Sequence, residues 1–251
     1  MKGEYEMKKV KGVFLSDLHM PDNINLKPVF NYIKDFKPEL IILGGDIIDA
    51  KGMHSSECLR ADQINLAWYD RDINLLNMFL TQLEQIVPKA RIIFLEGNHC
   101  ERWVRIVKKF PKVFSKTVNV ARDISRPNLT YIPYNTYKST YKLGDTLFMH
   151  GQAYPDHHSK KYAKDYSPYK VIYGHLHHLQ AYTDRKDAVY CKPNFALTAG
   201  CLCTKMPEWK KGAPNQWVNG FVSFVLDGKA VIPQIHIIEK GKFYVGNKEY
   251  K

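Results

Sequence analysis

Side chains that commonly bind metal ions occur in five short groups along the first two thirds of the chain. In chain order the groups are Ser16-Asp17-Leu18-His19, Gly44-Gly45-Asp46-Ile47-Ile48-Asp49, Gly97-Asn98-His99-Cys100, His150-Gly151 and Gly174-His175-Leu176-His177. Carboxylate and imidazole ligands suit divalent ions such as Mn, Fe and Zn, and one carboxylate can bridge two ions. Two ions about 3.5–4 Å apart can clamp a phosphate and activate a water. The groups hold more ligands than one ion can use, so the sequence predicts a two-metal site.

Each of the five groups follows directly on a short apolar run. The runs are rich in Ile, Val, Leu and Phe without clean alternation, which is typical of strands covered on both faces. They are Val10–Leu15, Leu40–Leu43, Arg91–Leu95, Asp145–Met149 and Lys170–Tyr173. In open α/β sheets, ligands bind in the crevice beyond the carboxyl ends of the strands. We therefore expect the five groups to converge on one spot.

Helical segments separate the first three strands. The spacing of apolar residues predicts helices over Asn25–Phe36 and Ala61–Val87, and a third over Glu101–Phe110. The order strand, helix, strand, helix, strand predicts an α/β fold with a mainly parallel sheet. From residue 184 onward strand-like pieces such as Gly220–Leu226 and Ala230–Ile238 predict a second sheet packed on the first. No linker composition interrupts the chain, so residues 1–251 are predicted to form a single domain.

The composition is that of a folded globular protein, with 45% hydrophobic and 25% charged residues. No apolar run approaches the roughly 18 residues of a membrane span, and the polar start lacks the apolar stretch of a secretory signal. These features predict a cytoplasmic protein without a membrane partner. The five cysteines are odd in number and lack Cys-x-x-Cys spacing, which argues against a disulfide framework or a cysteine-based zinc site. The sequence leaves the oligomeric state open.

The ordered motifs D-x-H, G-D-x-x-D, G-N-H, H-G and G-H-x-H resemble those of the calcineurin-like metallophosphoesterase superfamily. The resemblance spans Asp17 to His177. It implies an α/β fold of the metallophosphoesterase type, a β-sandwich of two mixed sheets flanked by helices. It also implies a hydrolase that uses two divalent metal ions on phosphoester bonds. Manganese is the expected metal, with Fe, Zn, Ni and Mg as alternatives.

The same resemblance implies a role for each matching residue. The first ion would be held by Asp17, His19 and His177, the second by Asn98, His150 and His175, and both by the bridging Asp46. His99 would lie outside the ligand shell and protonate the leaving oxygen, and Asp49 would orient it. A carboxylate partner keeps an imidazole in one tautomer and raises its pKa.

Two features outside the shared motifs bear on the substrate. In the protein Ser/Thr phosphatase branch, Arg and Gly follow the second motif, whereas this chain has Ala50 and Lys51. Lys cannot replace a bidentate guanidinium without change, so protein phosphatase activity is disfavoured. Glu101-Arg102 after the third motif resembles an uncharacterised group common in bacteriophages and mobile elements, for which host cytoplasm is the expected location. Arg102 would then bind a phosphate oxygen.

The cysteines near the motifs have a functional and a structural interpretation. Cys100 could be a thiolate nucleophile at a helix start, but the expected metal-activated water already supplies one, so this is the minor alternative. The segments 199–203 and 215–221 also resemble the phage-type group. We interpret Cys201 and Cys203 as buried apolar residues, with a Cys-x-Cys metal clip as the minor alternative.

The net charge of +12, from 37 Lys and Arg against 25 Asp and Glu, favours an anionic partner. A first hypothesis is a nuclease or nucleic-acid phosphodiesterase resembling the Mre11/SbcD branch. Its predicted phosphate track consists of Arg102, Arg105, Lys108, Lys109, Lys112 and Lys116, together with Lys160, Lys161, Lys164 and Lys170. A second is a phosphatase or phosphodiesterase acting on nucleotides, cyclic nucleotides or other small phosphoesters. A third, a non-catalytic binding scaffold, is disfavoured because no ligand position is lost. Nucleic acid is favoured by a small margin.

Five further histidines lie outside the groups or at their edge. His54 could reach the crevice. His157 and His158 are predicted to lie in an exposed loop, His178 to point away from the metals or toward substrate, and His236 to be structural.

Overall fold

The structure is a computed structural model that describes residues 9–53, 60–134, 139–152, 156–184, 194–206 and 215–251. The strands are β1 (Val10–Leu15), β2 (Leu40–Leu43), β3 (Arg91–Leu95), β4 (Leu129–Ile132), β5 (Thr140–Leu143), β6 (Thr146–Met149), β7 (Lys170–Tyr173), β8 (Leu179–Asp184), β9 (Asn194–Ala199), β10 (Gly220–Asp227), β11 (Ala230–Ile237), β12 (Phe243–Val245) and β13 (Lys248–Tyr250). The helices are α1 (Lys27–Phe36), α2 (Leu66–Ile86), α3 (Glu101–Lys109), α4 (Pro111–Phe114), α5 (Val120–Asp123) and α6 (His158–Asp165).

The strands form two large sheets and the β12-β13 hairpin. The first sheet has the order β11-β10-β1-β2-β3-β4, in which β1 to β4 run parallel and β10 and β11 antiparallel. The register places Leu15 beside Leu43, and Leu43 beside Phe94. The carboxyl ends of β1, β2 and β3 therefore share one edge, where the first three polar groups begin.

The second sheet has the order β5-β6-β7-β9-β8, and its central strands β6, β7 and β9 run parallel. Met149 pairs with Tyr173 at the ends of β6 and β7. The next residues stay together, because the Gly174 N–H donates to the carbonyl oxygen of His150 over 3.0 Å. The last two polar groups therefore lie side by side.

The two sheets pack face to face and helices cover their outer faces. Between the sheets, Phe14 and Ile42 of the first contact Phe148 and Ile172 of the second in one buried cluster. The opposite side chains of β1 to β3 pack against α1, α2 and α3, and α6 covers the other face of the second sheet through the buried Tyr162. Both faces of the central strands are apolar for this reason. The predicted α/β sandwich of two mixed sheets flanked by helices is confirmed.

The division of strands between the sheets differs from the sequence-based prediction. The second sheet starts at Thr140 and contains β5 to β9, whereas β10 and β11 extend the first sheet beside β1. The prediction that the strands after residue 184 form the second sheet was therefore wrong for β10 and β11. Strand patterns report burial and not the partner, so periodicity could not assign β10 to an antiparallel place next to β1.

Other predicted elements are present with shifted ends. The strand predicted from Asp145 starts one residue later, and the helix predicted from Ala61 begins at Leu66 after a short 3₁₀ turn over Ala61–Gln63. Asn65 caps this helix, since its side-chain oxygen accepts the Ala67 N–H. In the parts of the chain that are described, no helix combines the length and the apolar character needed to cross a membrane.

Candidate metal centre

The edges of the two sheets bring the five polar groups into one pocket of about 170 Å³. Its lining consists of His19, Asp22, Asp46, Asp49, Asn98, His99, His175, His177, Cys203, Thr204 and Trp217. The fully buried Asp17 and His150 contact lining residues from below. The predicted convergence of the five groups therefore occurs, and all seven predicted ligands lie at the pocket or directly beneath it.

On one side of the pocket, three predicted ligands face each other. The Nε2 atom of His177 lies 3.2 Å from Asp17 Oδ1 and 3.2 Å from the Nε2 atom of His19. His19 Nε2 and Asp17 Oδ1 are 4.0 Å apart. Atoms that each bind one ion at about 2.1 Å have separations in this range.

On the other side, a second trio is arranged in the same way. His150 Nε2 lies 2.9 Å from Asn98 Oδ1 and 3.2 Å from His175 Nδ1. Asp46 lies between the two trios, with Oδ2 3.1 Å from His150 Nε2 and 3.9 Å from His19 Nε2. The Asp46 carboxylate thus contacts a ligand atom of each trio.

The donor chemistry of these residues fits divalent ions. Carboxylate oxygen, amide oxygen and imidazole nitrogen are the ligand types that Mn, Fe and Zn accept. Two pairs of imidazole nitrogens approach within 3.2 Å, and a cation between the members of a pair would satisfy both lone pairs. Asp17, His19 and Asp46 form one group spaced to hold an ion, and Asp46, His150 and His175 form another.

Electrostatics prepare the two buried carboxylates for cations. Burial opposes ionisation of Asp46, but the charge of His150 and its hydrogen bond outweigh burial and hold the pKa of Asp46 well below its usual range. The pKa of Asp17 is lowered in the same way by His177. Burial also opposes the charge of His150, yet Asp46 raises the pKa of His150 to about 9. Both carboxylates are therefore ionised at neutral pH.

Five predicted ligands have left-handed backbone conformations. The φ angles are 56° at Asp17, 49° at His19, 50° at Asp46, 75° at His175 and 59° at His177. Such conformations cost on the order of 1–3 kcal/mol each in non-glycine residues and concentrate at functional sites. Backbone hydrogen bonds hold them, since the His19 N–H donates to the Asp46 carbonyl over 2.9 Å. These turns direct side chains from the strand ends into one pocket.

Two motif glycines let backbone approach the ligands closely. A Cβ atom on Gly97 would lie 2.2 Å from Asp46 Oδ1 and 2.3 Å from the Asp46 backbone nitrogen. A Cβ atom on Gly174 would lie 2.5 Å from Asp17 Oδ2. Glycine at both positions therefore permits a backbone approach that any side chain would block.

A chain of contacts along the pocket wall joins His99, Asp49 and Arg102. His99 Nδ1 lies 2.8 Å from Asp49 Oδ1, and the same oxygen lies 3.0 Å from His19 Nδ1. Burial opposes the charge of Asp49, but hydrogen bonds from both histidines lower its pKa well below the usual range. Arg102 is buried and does not line the pocket. Its guanidinium donates to the Asp49 carbonyl over 2.8 Å and lies 3.2 Å from His99 Nε2. Its phosphate-binding role stays a prediction.

Several residues in the C-terminal part of the chain line the pocket, although no role was predicted for them from the sequence. Cys203 is buried as predicted, but its Sγ atom faces the pocket and lies 3.9 Å from His177 Nδ1. The ring of Trp217 packs 4.2 Å from the His177 ring. Cys201 is buried away from the pocket lining. The available signal was the resemblance of the Cys-x-Cys and Trp-containing segments to the phage-type group.

The remaining cysteine and histidine predictions have mixed outcomes. Cys100 is fully buried and burial raises its pKa to about 12, so its thiol stays protonated and the nucleophile alternative loses its basis. His158 is buried at the start of α6 with Nδ1 2.6 Å from the Tyr173 hydroxyl, so the exposed-loop prediction was wrong for His158, whereas His157 is exposed in a turn as predicted. The His178 ring contacts His158. His236 is buried and contacts a serine, as a structural residue would. His54 lies outside the described residues.

The predicted basic track does not reach the pocket within the described parts of the chain. Lys170 starts β7, at the opposite end from His175, and pairs with Asp145 over 2.8 Å. A four-residue strand separates it from the site. The inclusion of Lys170 in a phosphate track was therefore wrong. Lys161 pairs with Asp165 on α6.

Two mixed sheets that carry buried Asp and His clusters at their shared edge define a class of metal-dependent hydrolases. The chain belongs to the calcineurin-like phosphoesterase family, whose model matches residues 11–195. It is therefore a phosphoester hydrolase of a family that uses divalent metal ions. The superfamily resemblance of the motifs is confirmed.

Individual relatives are distant. The chain is 23% identical to the Gene 54 protein of Mycobacterium phage L5 over 255 residues, which cover 95% of this chain and 98% of the relative. Vacuolar protein sorting 29 of Cryptosporidium parvum has a similar structure, with a TM-score of 0.51 and 14% identity over 96% of this chain and 98% of that one. A conserved uncharacterized protein of Streptococcus pneumoniae TIGR4, described as a predicted phosphoesterase, gives a TM-score of 0.42 at 15% identity over 97% of this chain and 98% of that one.

Proposed function

We propose that the pocket is a two-metal phosphoesterase centre with the seven ligands assigned by the motifs. The observation that carries this proposal is the placement of Asp46 between two trios of facing ligand atoms, 3.1 Å from His150 Nε2 and 3.9 Å from His19 Nε2. A pair of divalent ions at such a centre supplies Lewis-acid stabilisation of phosphate charge and an activated water nucleophile. Manganese is our first choice of metal.

We assign the proton transfer to His99. Its Nδ1 atom faces the ionised Asp49, which favours the tautomer or charge state with a proton on Nδ1. Nε2 is then the nitrogen that would serve the leaving oxygen. Arg102 contacts this Nε2 atom at 3.2 Å. We propose that Arg102 exchanges this contact for a phosphate oxygen when substrate binds.

Nucleic acid is our first candidate substrate. The net charge of +12 supports a polyanionic partner. Helix α3 begins two residues after His99, and exposed lysines lie on α3 (Lys108 and Lys109), on α4 (Lys112) and just after α4 (Lys116). A phosphate backbone that extends from the pocket along α3 would meet these cations. Because of the phage relative, we propose the host cytoplasm as the location of the protein. We also propose that residues 1–251 form a single domain.

A small phosphoester is the second candidate, and the pocket itself favours it. The volume of about 170 Å³ accommodates little more than one phosphate group and its first substituents. Within the described residues the lining includes Asp22 and Asp49 but no Lys or Arg. Asp22 pairs with Lys51 and Asp49 with His19 and His99, so these described lining residues offer no cation to the flanking phosphates of a polynucleotide. A nucleotide or cyclic nucleotide carries no long run of flanking phosphates.

The test is a rate comparison with Mn²⁺ on single- and double-stranded DNA, RNA, cyclic nucleotides and an aryl phosphodiester. Asp46→Asn should abolish hydrolysis of every substrate, because the bridging carboxylate contacts both trios. Unchanged turnover by this variant would refute the assignment. Nucleic-acid binding should weaken steeply with added salt, whereas a flat salt response favours the small substrate.

A further inference from the structure

Two of the predicted ligand histidines are held by strong hydrogen-bond acceptors on the side away from the pocket. His150 presents Nε2 to Asp46 and Asn98, while its Nδ1 atom lies 2.8 Å from the Gly44 carbonyl oxygen. Metal-binding histidines usually donate their second N–H to a carbonyl or carboxylate, which fixes the ring and its tautomer.

His19 follows the same pattern with a carboxylate. Its Nε2 atom faces His177, and its Nδ1 atom lies 3.0 Å from Asp49 Oδ1. Both acceptors are oxygens within ordinary hydrogen-bond distance. At both predicted ligand histidines, therefore, the ring nitrogen that faces away from the pocket contacts an oxygen acceptor.

His177 departs from the pattern because its Nδ1 atom faces sulfur. The Cys203 Sγ atom lies 3.9 Å from His177 Nδ1, whereas His177 Nε2 faces Asp17 and His19. Thiol sulfur is a weak acceptor compared with a carbonyl or carboxylate. Trp217 also contacts the ring, at a centroid distance of 4.2 Å. The ring of His177 is therefore oriented by a weaker hydrogen-bond acceptor than the rings of His19 and His150.

The segment that carries Cys203 is itself firmly placed. The Asn219 side chain donates to the Cys203 carbonyl over 2.7 Å, and the Leu202 N–H donates to the Asp17 carbonyl over 3.0 Å. Cys203 also forms an isolated antiparallel β-bridge with Asn23. Cys203 is only 3% exposed, and its backbone cannot move away without disturbing these contacts.

We propose that Cys203 is the positioning residue of His177 and controls how tightly the ion beside Asp17, His19 and His177 is held. This inference rests on the proposed function, since it presumes that His177 binds metal through Nε2. The two ring nitrogens of an imidazole point in different directions. The Cys203 sulfur faces Nδ1, whereas Asp17 and His19 face Nε2, so Cys203 would act on an ion at Nε2 through His177.

The test compares metal binding by calorimetry in the full chain and in three variants. Cys203→Ala should weaken one of two Mn²⁺ binding steps about 10–100-fold and leave the other unchanged, which is the usual effect of removing a partner of a ligand histidine. Cys203→Ser keeps a donor and acceptor at nearly the same volume and should lose less. Cys201→Ala controls for disturbance of the segment, because Cys201 Sγ contacts the Cys203 and Val218 carbonyls and not His177. It should bind both ions as the wild type does.

The outcomes separate this inference from the proposed function. If the wild type binds two ions and Cys203→Ala binds both equally well, the inference is overturned while the two-metal proposal stands. If the wild type binds no second ion, the proposed function fails first. A near-ultraviolet sulfur-to-cobalt band in the Co²⁺ form, lost in Cys203→Ala, would make Cys203 a direct ligand and overturn the positioning role. Should Cys203→Ala fail to fold, Cys203→Ser decides the same question with the same calorimetric readout.

Discussion

Replacing Gly97 by alanine tests whether close backbone approach builds the site. The added Cβ would lie 2.2 Å from Asp46 Oδ1 and 2.3 Å from the Asp46 nitrogen, whereas real contacts of this kind lie beyond 3.0 Å. The atoms must therefore separate by about 0.8 Å, the difference between 3.0 and 2.2 Å. A side chain alone cannot relieve the clash, because one of the two atoms is backbone.

This displacement falls on Asp46, which contacts both ligand trios. Metal–ligand distances tolerate deviations of roughly 0.2 Å, so a shift of this size should lower metal occupancy. Misplacement by about 1 Å can reduce turnover about 10²-fold. Gly97→Ala should therefore lose bound metal and about two orders of magnitude of activity on an aryl phosphodiester with Mn²⁺, measured together with metal content by mass spectrometry.

Gly246→Ala provides the matched control. Gly246 has φ of +57°, and a Cβ atom added there would meet no heavy atom within 4 Å, so alanine adds strain without a clash. It should lower the free energy of unfolding by about 1–2 kcal/mol and leave activity unchanged. Full activity and full metal content in Gly97→Ala would refute the argument from close approach.

Three further predictions test separate parts of the account. His99→Ala should lower hydrolysis about 10²–10⁴-fold with metal content intact, and loss of metal would instead make His99 a ligand. Lys37→Gly should raise the free energy of unfolding by up to about 1 kcal/mol in urea titrations, because Lys37 ends α1 in an exposed left-handed conformation with φ of 52°; a decrease would contradict this. Burial lowers the pKa of His236 to about 4, so the native state stays neutral while the unfolded state gains a proton below pH 6.5. The stability contributed by His236 should be present above pH 6.5 and lost as pH falls toward 4, and His236→Gln should reduce this loss; equal pH slopes would contradict the assignment.

The strand ends and their polar groups could be predicted because local sequence encodes them directly. Apolar runs such as Leu40–Leu43 are too short and too uniformly apolar to be surface helices, and the residues after them are confined to one sheet edge. The meeting of Asp46 with His19 followed from that edge, whereas His150 reaches Asp46 from the second sheet, and local sequence does not encode how the two sheets pack. The left-handed turns at the ligands were not predictable, since Asp and His adopt positive φ values more often than most residues but still only in a minority of positions.

The partners of each side chain were harder to predict than the elements. Cys203 was assigned to the interior on its residue type, which is correct for its burial but says nothing about the His177 nitrogen that it faces. The contacts of Arg102 with Asp49 and His99 were not visible in the sequence. His158 looked exposed among lysines, yet Tyr173 supplies a buried partner. Apart from Arg102 with His99, these pairings join residues at least 15 positions apart, and single-sequence patterns do not encode them.

The most direct test of the central claim is anomalous diffraction from crystals grown with Mn²⁺. The account predicts two manganese peaks roughly 3.5–4 Å apart, one beside Asp17, His19 and His177 and the other beside Asn98, His150 and His175. Asp46 should bridge them. A lone peak, or two peaks without Asp46 between them, would contradict the account.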